Sequence, residues 1–121
     1  MKITEIAFTT YAVTDIKRAR EFYENVLGLK PGQVTESPDM AWVEYEIAGG
    51  TLAIGKMDSW KPASEGASVA FEVENFEEAI KHLRDHKVKF HYEPLETPVC
   101  HMAIIEDPDG SKIIIHKRKN S

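Results

Sequence analysis

From Phe8 to Val13 two sets of residues alternate, Phe8, Thr10 and Ala12 against Thr9, Tyr11 and Val13, and the stretch ends at Thr14-Asp15. Period-2 alternation of β-formers predicts a strand. Thr14 or Asp15 then serves as N-cap for a helix whose apolar positions are Ile16, Ala19, Phe22, Tyr23, Val26 and Leu27, a spacing of three and four that makes one amphipathic face. Gly28 stands where a helix closes in the left-handed conformation, and Pro31 forbids continuation. Residues 32–40 read as a loop or weak edge strand. Trp42 to Ile47 and Thr51 to Gly55 predict a hairpin around Ala48-Gly49-Gly50.

The second half repeats the plan. Val69, Phe71 and Val73 alternate as a strand, Glu74-Asn75 caps a helix, and Phe76, Ala79, Ile80, Leu83 and His86 mark its apolar face. Residues 88–95 resemble another weak strand. Met102 to Glu106 and Lys112 to Lys117 predict a hairpin around Asp107-Pro108-Asp109-Gly110, a strong turn sequence. At an offset of 60, Tyr11 matches Phe71, Val13 matches Val73 and Asp15 matches Asn75; the hairpins follow at 61, with Gly49 on Gly110. The shared order strand, helix, weak strand, hairpin predicts an α+β fold of two βαβββ modules, 1–57 and 67–121, joined by a Pro, Ser and Gly-containing linker at 58–66. Each module is marginal alone, so both are expected to share one core in a single domain spanning 1–121.

Val13-Thr14-Asp15-Ile16 with Phe22-Tyr23 and Leu27-Gly28-Leu29, and then Glu106-Asp107-Pro108-Asp109-Gly110, resemble the opening and closing motifs of the vicinal oxygen chelate superfamily. That superfamily includes glyoxalase I, extradiol dioxygenases and the fosfomycin and bleomycin resistance proteins. The resemblance covers nearly the whole chain. It implies two modules whose sheets curl into a cup, and no particular reaction. The metal ligands of such relatives fall, by the same resemblance, on Phe8, Ala53, Ser68 and Ile114, of which Ala53 is the least securely placed. None offers an imidazole or a carboxylate, so no metal at the family position and no cofactor is expected.

Strand parity names the residues expected to line the cup. Phe8, Thr10 and Ala12 share one face. Ser68, Ala70 and Glu72 do so in the second module. A two-residue turn at Gly49-Gly50 sets Glu46 opposite Ala53 and Glu44 opposite Gly55, with Trp42 on the same side. A four-residue turn over 107–110 sets Ile105 opposite Lys112, Ala103 opposite Ile114 and His101 opposite His116, with Met102, Ile104, Ile113 and Ile115 in the core. Phe8, Thr10, Trp42, Glu44, Glu46, Ala53, Ser68, Ile105 and Ile114 are therefore the expected ligand-binding set. Glu44 and Glu46 also suit a strand with one solvated face, and Trp42 a subunit contact.

His116, His101 and Glu72 are the candidates for chemistry, because imidazole titrates near neutrality and suits acid–base work. A histidine pair near the sheet end is the plainer alternative. His82 and His86 stand four apart, a metal-ligand spacing on a helix, but no Glu follows His82 and the same spacing serves a helix face. Cys100 points away from His101 and is expected to be inert and partly buried.

Composition narrows the classes. Fifteen Lys+Arg against 20 Asp+Glu give a net charge of −5, without the basic footprint of a nucleic-acid binder; Lys117-Arg118-Lys119 reads as a solvated tail. No apolar run approaches a membrane span and no signal peptide is visible. The single cysteine fits a reducing compartment. A cytoplasmic homodimer that binds a small organic molecule without metal is the expectation; the alternative is a lyase or isomerase using His116 or His101 with a glutamate. The acidic balance suits a cationic or polyhydroxylated ligand.

Overall fold

The computed structural model describes residues 2, 4, 6–58, 60–63, 69–98 and 100–119. The chain divides into two compact units, residues 1–62 and 63–121. Part of the expected linker and Ser68 lie outside the described residues.

In the first unit β1 (Thr9–Ala12) leads into α1 (Ile16–Arg20), capped by Asp15, whose Oδ1 accepts the Arg18 N–H at 3.0 Å. The helix continues as a π-helical turn, Glu21–Val26, ending with the Leu27 N–H on the Phe22 carbonyl and Gly28 at φ 79°. A single α-helix over this stretch was the expectation. The wider turn sets both Phe22 and Tyr23 into the core and directs Glu24 at the sheet, where the buried Tyr45 hydroxyl donates to it at 2.9 Å and Arg20 Nε at 2.6 Å. Burial, then the bond to Glu24, push the Tyr45 hydroxyl well above its ordinary range.

β2 (Pro31–Glu36), β3 (Met40–Ile47) and β4 (Gly50–Met57) complete a sheet of order β1-β4-β3-β2, with β1 parallel to β4. The weak stretch after Pro31 is thus an edge strand, exposed throughout. The β3–β4 turn lies at Ala48-Gly49, both at positive φ, not at Gly49-Gly50 as expected. Pairing therefore shifts by two: Glu46 faces Thr51, Glu44 faces Ala53 and Trp42 faces Gly55. A shift of two keeps every side chain on its face. It also sets Val43 against Ile54 where the expected register would have set it against Lys56, which accounts for the choice.

The second unit repeats the topology: β5 (Val69–Glu72), α2 (Phe76–Asp85), β6 (Phe90–Glu96), β7 (Cys100–Glu106) and β8 (Lys112–Arg118), in sheet order β5-β8-β7-β6. Asn75 caps α2, its Oδ1 accepting from the Glu78 N–H at 3.0 Å. Tyr11 aligns with Ile54 in one parallel pair and Phe71 with Ile115 in the other, so the repeat holds at the level of register.

The closing hairpin departs from expectation. The Asp107 N–H donates to the Ser111 carbonyl at 3.0 Å, while Asp107 Oδ1 accepts the Asp109 and Ser111 N–H groups at 2.9 Å each. That leaves a three-residue loop, Pro108-Asp109-Gly110, with Gly110 at φ 85°. A three-residue loop closed by a left-handed glycine inserts one residue relative to an even loop. Glu106 accordingly faces Lys112, Ile105 faces Ile113, Ile104 faces Ile114, and Met102 faces His116. His101 faces Lys117, so His101 and His116 stand on opposite sheet faces and are not the cross-strand pair expected. Ile105, expected to line a cavity, is 0% exposed on the helix side with Ala103, Ile113 and Ile115. Met102 and Ile104, expected in the core, take the other face.

Candidate functional site

In the first unit the sheet face away from α1 carries Phe8, Thr10, Trp42, Glu44, Glu46, Ala53 and Gly55, in the parity expected. Three aromatic rings line up there. Phe8 meets Trp42 edge-on with centroids 5.2 Å apart, and Trp42 meets Trp60 at 6.0 Å. Gly55 is what admits them: a Cβ there would lie 2.9 Å from carbons of both Trp42 and Trp60. Gly55→Ala should therefore lower stability by about 1–3 kcal/mol, the usual cost of overpacking, as read by denaturant unfolding. Trp60 was not on the expected ligand set, since it lies beyond β4 in the Pro and Ser-containing stretch. Its backbone N–H returns to the Met57 carbonyl at 3.0 Å, which brings the indole back onto the strand end.

Polar groups stand beside the rings. The Trp42 Nε1–H donates to Glu44 Oε2 at 2.8 Å, fixing both the indole plane and the carboxylate. Thr51 Oγ1 donates to Glu46 Oε1 at 2.8 Å nearer the turn. Ala53, the register partner of Glu44, is fully buried, and Phe8 remains 45% exposed.

In the second unit the face away from α2 carries Ala70, Glu72, Met102, Ile104, Ile114 and His116. Glu72 and His116 are register partners, and His116 Nδ1 lies 2.5 Å from Glu72 Oε1. The other carboxylate oxygen accepts the Arg118 backbone N–H at 2.7 Å. That N–H first, and His116 second, hold the Glu72 carboxyl below the ordinary carboxylate range. An ionised carboxylate only accepts, so Nδ1 carries the proton and the neutral ring presents its lone pair at Nε2. Because the folded carboxyl is the stronger acid, its contribution to stability is full above about pH 4.5 and is lost as pH falls through the lower folded value. Glu72→Gln should flatten that part of the acid-unfolding curve, measured by urea midpoints between pH 6 and 3.

His101 packs against Phe76 of α2 with centroids 5.6 Å apart, on the helix side. Cys100 is buried, its Sγ 3.2 Å from Thr97 Oγ1. Among the described residues no three or more His, Cys, Asp or Glu side chains cluster as a metal site. Of the positions that the resemblance assigns to metal ligands, Phe8 is packed against Trp42, Ala53 is buried and Ile114 is paired with Ile104, while Ser68 lies outside the described residues. No helix among the described residues is long and apolar enough to cross a membrane.

The Glyoxalase/Bleomycin resistance protein/Dioxygenase superfamily profile matches residues 5–115, and the chain belongs to that superfamily. It is 29% identical over 124 residues to lactoylglutathione lyase of Salmonella typhimurium (strain LT2), covering 93% of this chain and 92% of that protein. Its fold is shared with a glyoxalase family protein from Enterococcus faecalis at TM-score 0.78 and 21% identity, over 97% of this chain and 100% of that one. TnmS3, an antibiotic binding protein from Streptomyces sp. CB03234, superposes at TM-score 0.79 and 20% identity, over 98% and 99% of the two chains. The fold is thus the α+β glyoxalase fold with two four-stranded mixed sheets.

Proposed function

We propose that the protein binds a small organic molecule, without a metal, against the Phe8–Trp42–Trp60 wall of its first unit. The observation that carries this reading is the row of three rings beside a carboxylate fixed by an indole N–H. Aromatic faces favour a flat, apolar ligand, and Glu44, with one oxygen committed to Trp42, keeps lone pairs for a donor or cation on that ligand. The antibiotic-binding neighbour TnmS3 supports the same class of role, and the Phe, Ala and Ile at the family's metal positions speak against lyase chemistry of the metal-dependent kind. The protein works as a cytoplasmic homodimer in this reading, and light scattering at micromolar concentration checks the dimer.

The chain's two tryptophans are both in this wall. A bound planar ligand should therefore quench most of the intrinsic indole fluorescence, and EDTA should leave its affinity unchanged. Fluorescence that is indifferent to a panel of planar heteroaromatic compounds, cationic and neutral, overturns the reading.

A second reading rests on the Glu72–His116 bond: with Nδ1 held by the carboxylate, Nε2 is placed as a general base for a lyase or isomerase step. His101, on the other face, takes no part in it. His116→Asn should abolish turnover and leave the fold intact, whereas binding at the aromatic wall should be untouched.

A further inference from the structure

His82 of α2 and His86, the residue that caps its C-terminus, stand one turn apart, and neither reading above employs them. Both are exposed, and their rings lie with centroids 4.4 Å apart at 44°. His86 closes the helix, and its Nδ1 sits 2.9 Å from the His82 carbonyl oxygen. A carbonyl oxygen only accepts, so Nδ1 is the protonated nitrogen and the lone pair of the neutral ring is on Nε2. Donation of one ring nitrogen to a backbone carbonyl is the outer contact that fixes tautomer and orientation in metal-binding histidines, with the opposite nitrogen left for the ion.

The surroundings carry both signs of charge, with the exposed Lys87 next to His86 in the chain. The last carbonyls of α2 bring partial negative charge to this turn. The two cationic side chains of the helix's second half are drawn to carboxylates: Lys81 to Asp85 at 3.1 Å, and Arg84 to Glu93 at 2.6 Å, with its guanidinium over the Phe90 ring. Imidazole pairs at this helical spacing suit Cu²⁺, Ni²⁺ and Zn²⁺, with Cu²⁺ held most tightly.

We propose that His82 and His86 form a two-imidazole chelate for a divalent transition-metal ion, Cu²⁺ before Zn²⁺, on the C-terminal turn of α2. Water fills the remaining coordination positions. The spacing exists only in the folded helix, so the ion binds the native chain in preference to the unfolded one and tightens the last turn. The site shares no residue with the aromatic wall or with the positions that the resemblance assigns to metal ligands, and it stands or falls independently of the ligand reading.

Calorimetric titration of the untagged, full-length protein with CuCl₂, and then ZnCl₂, tests it. One Cu²⁺ per chain is expected, with Zn²⁺ weaker. His82→Ala and His86→Ala should each weaken Cu²⁺ at least tenfold, while His91→Ala and Cys100→Ser should leave it unchanged, with circular dichroism checking that all variants fold. Independently, the ¹⁵N spectrum of the wild-type His86 ring should show the Nδ1–H tautomer at neutral pH. Failure of the wild type to bind Cu²⁺, binding that survives in the double variant, or an Nε2–H tautomer for His86 overturns the proposal.

Discussion

Trp42→Ala is expected to weaken binding of any planar aromatic ligand at least tenfold, a loss of about 1.4 kcal/mol or more, with the fold retained. Trp42 is the middle ring of the wall, in contact with Phe8 on one side and Trp60 on the other, so its removal deletes a stacking face and unseats both neighbours. It also frees the Glu44 carboxylate, which loses the indole N–H that aims it. The helix side of the same sheet is untouched: Val43, Tyr45 and Ile54 remain buried there and carry the unit's stability. Trp42→Phe should recover much of the affinity for neutral ligands, because a ring face is restored without the N–H. Glu44→Gln separates the two contributions. It keeps an acceptor for the indole and removes the charge, so cationic ligands should weaken while neutral ones hold. Equal affinity of Trp42→Ala and wild type, measured by Trp60 fluorescence or calorimetry, would place the ligand elsewhere.

Much of this was legible in the residues, for identifiable reasons. The repeat at offsets of 60 and 61 is a pattern of buried positions, and burial is what strand and helix periodicity report. Asp15 and Asn75 announce their helices because a short acceptor side chain at that position satisfies an otherwise orphaned N–H. The aromatic wall was mostly foreseeable too. The β3–β4 turn lies one residue before the expected position, but moving both central residues changes the pairing by an even number, and faces survive even shifts. Trp60 was not foreseeable from periodicity, since no strand pattern reaches it; only the Met57–Trp60 backbone bond returns it to the sheet.

The second unit shows the opposite case. Parity at the closing hairpin hangs on whether the loop holds three residues or four, and Asp107 decides it. Read as the first loop residue, Asp107 makes His101 and His116 neighbours; as the closing residue it separates them by the thickness of the sheet. The turn sequence itself suits both readings, because Pro108 and Gly110 fit either loop. What distinguishes them is a side-chain acceptor turned inward, and that is a tertiary fact: Asp107 and Ser111 are both buried.

Asp107→Ala is accordingly expected to cost about 2–4 kcal/mol, among the larger losses for a single side chain outside the apolar core. The carboxylate accepts two backbone N–H groups, each a charge-assisted bond of about 1.5–3 kcal/mol, and the Ser111 N–H would be left buried without a partner. Asp107→Asn should lose less, since its carbonyl oxygen accepts the same bonds without the charge. The consequence extends along the strands, because the loop holds the register of β7 against β8 and hence sets Met102, not His101, opposite His116. With the loop intact, Met102→Cys combined with His116→Cys should form a disulfide on mild oxidation, as directly opposed positions permit, while His101→Cys with His116→Cys should not, their side chains leaving opposite faces. Introducing Asp107→Ala should lower the yield of the first disulfide together with the urea midpoint. An unfolding free energy unchanged within about 0.5 kcal/mol, or a disulfide from the second pair, would show that the strands and not the loop set the register.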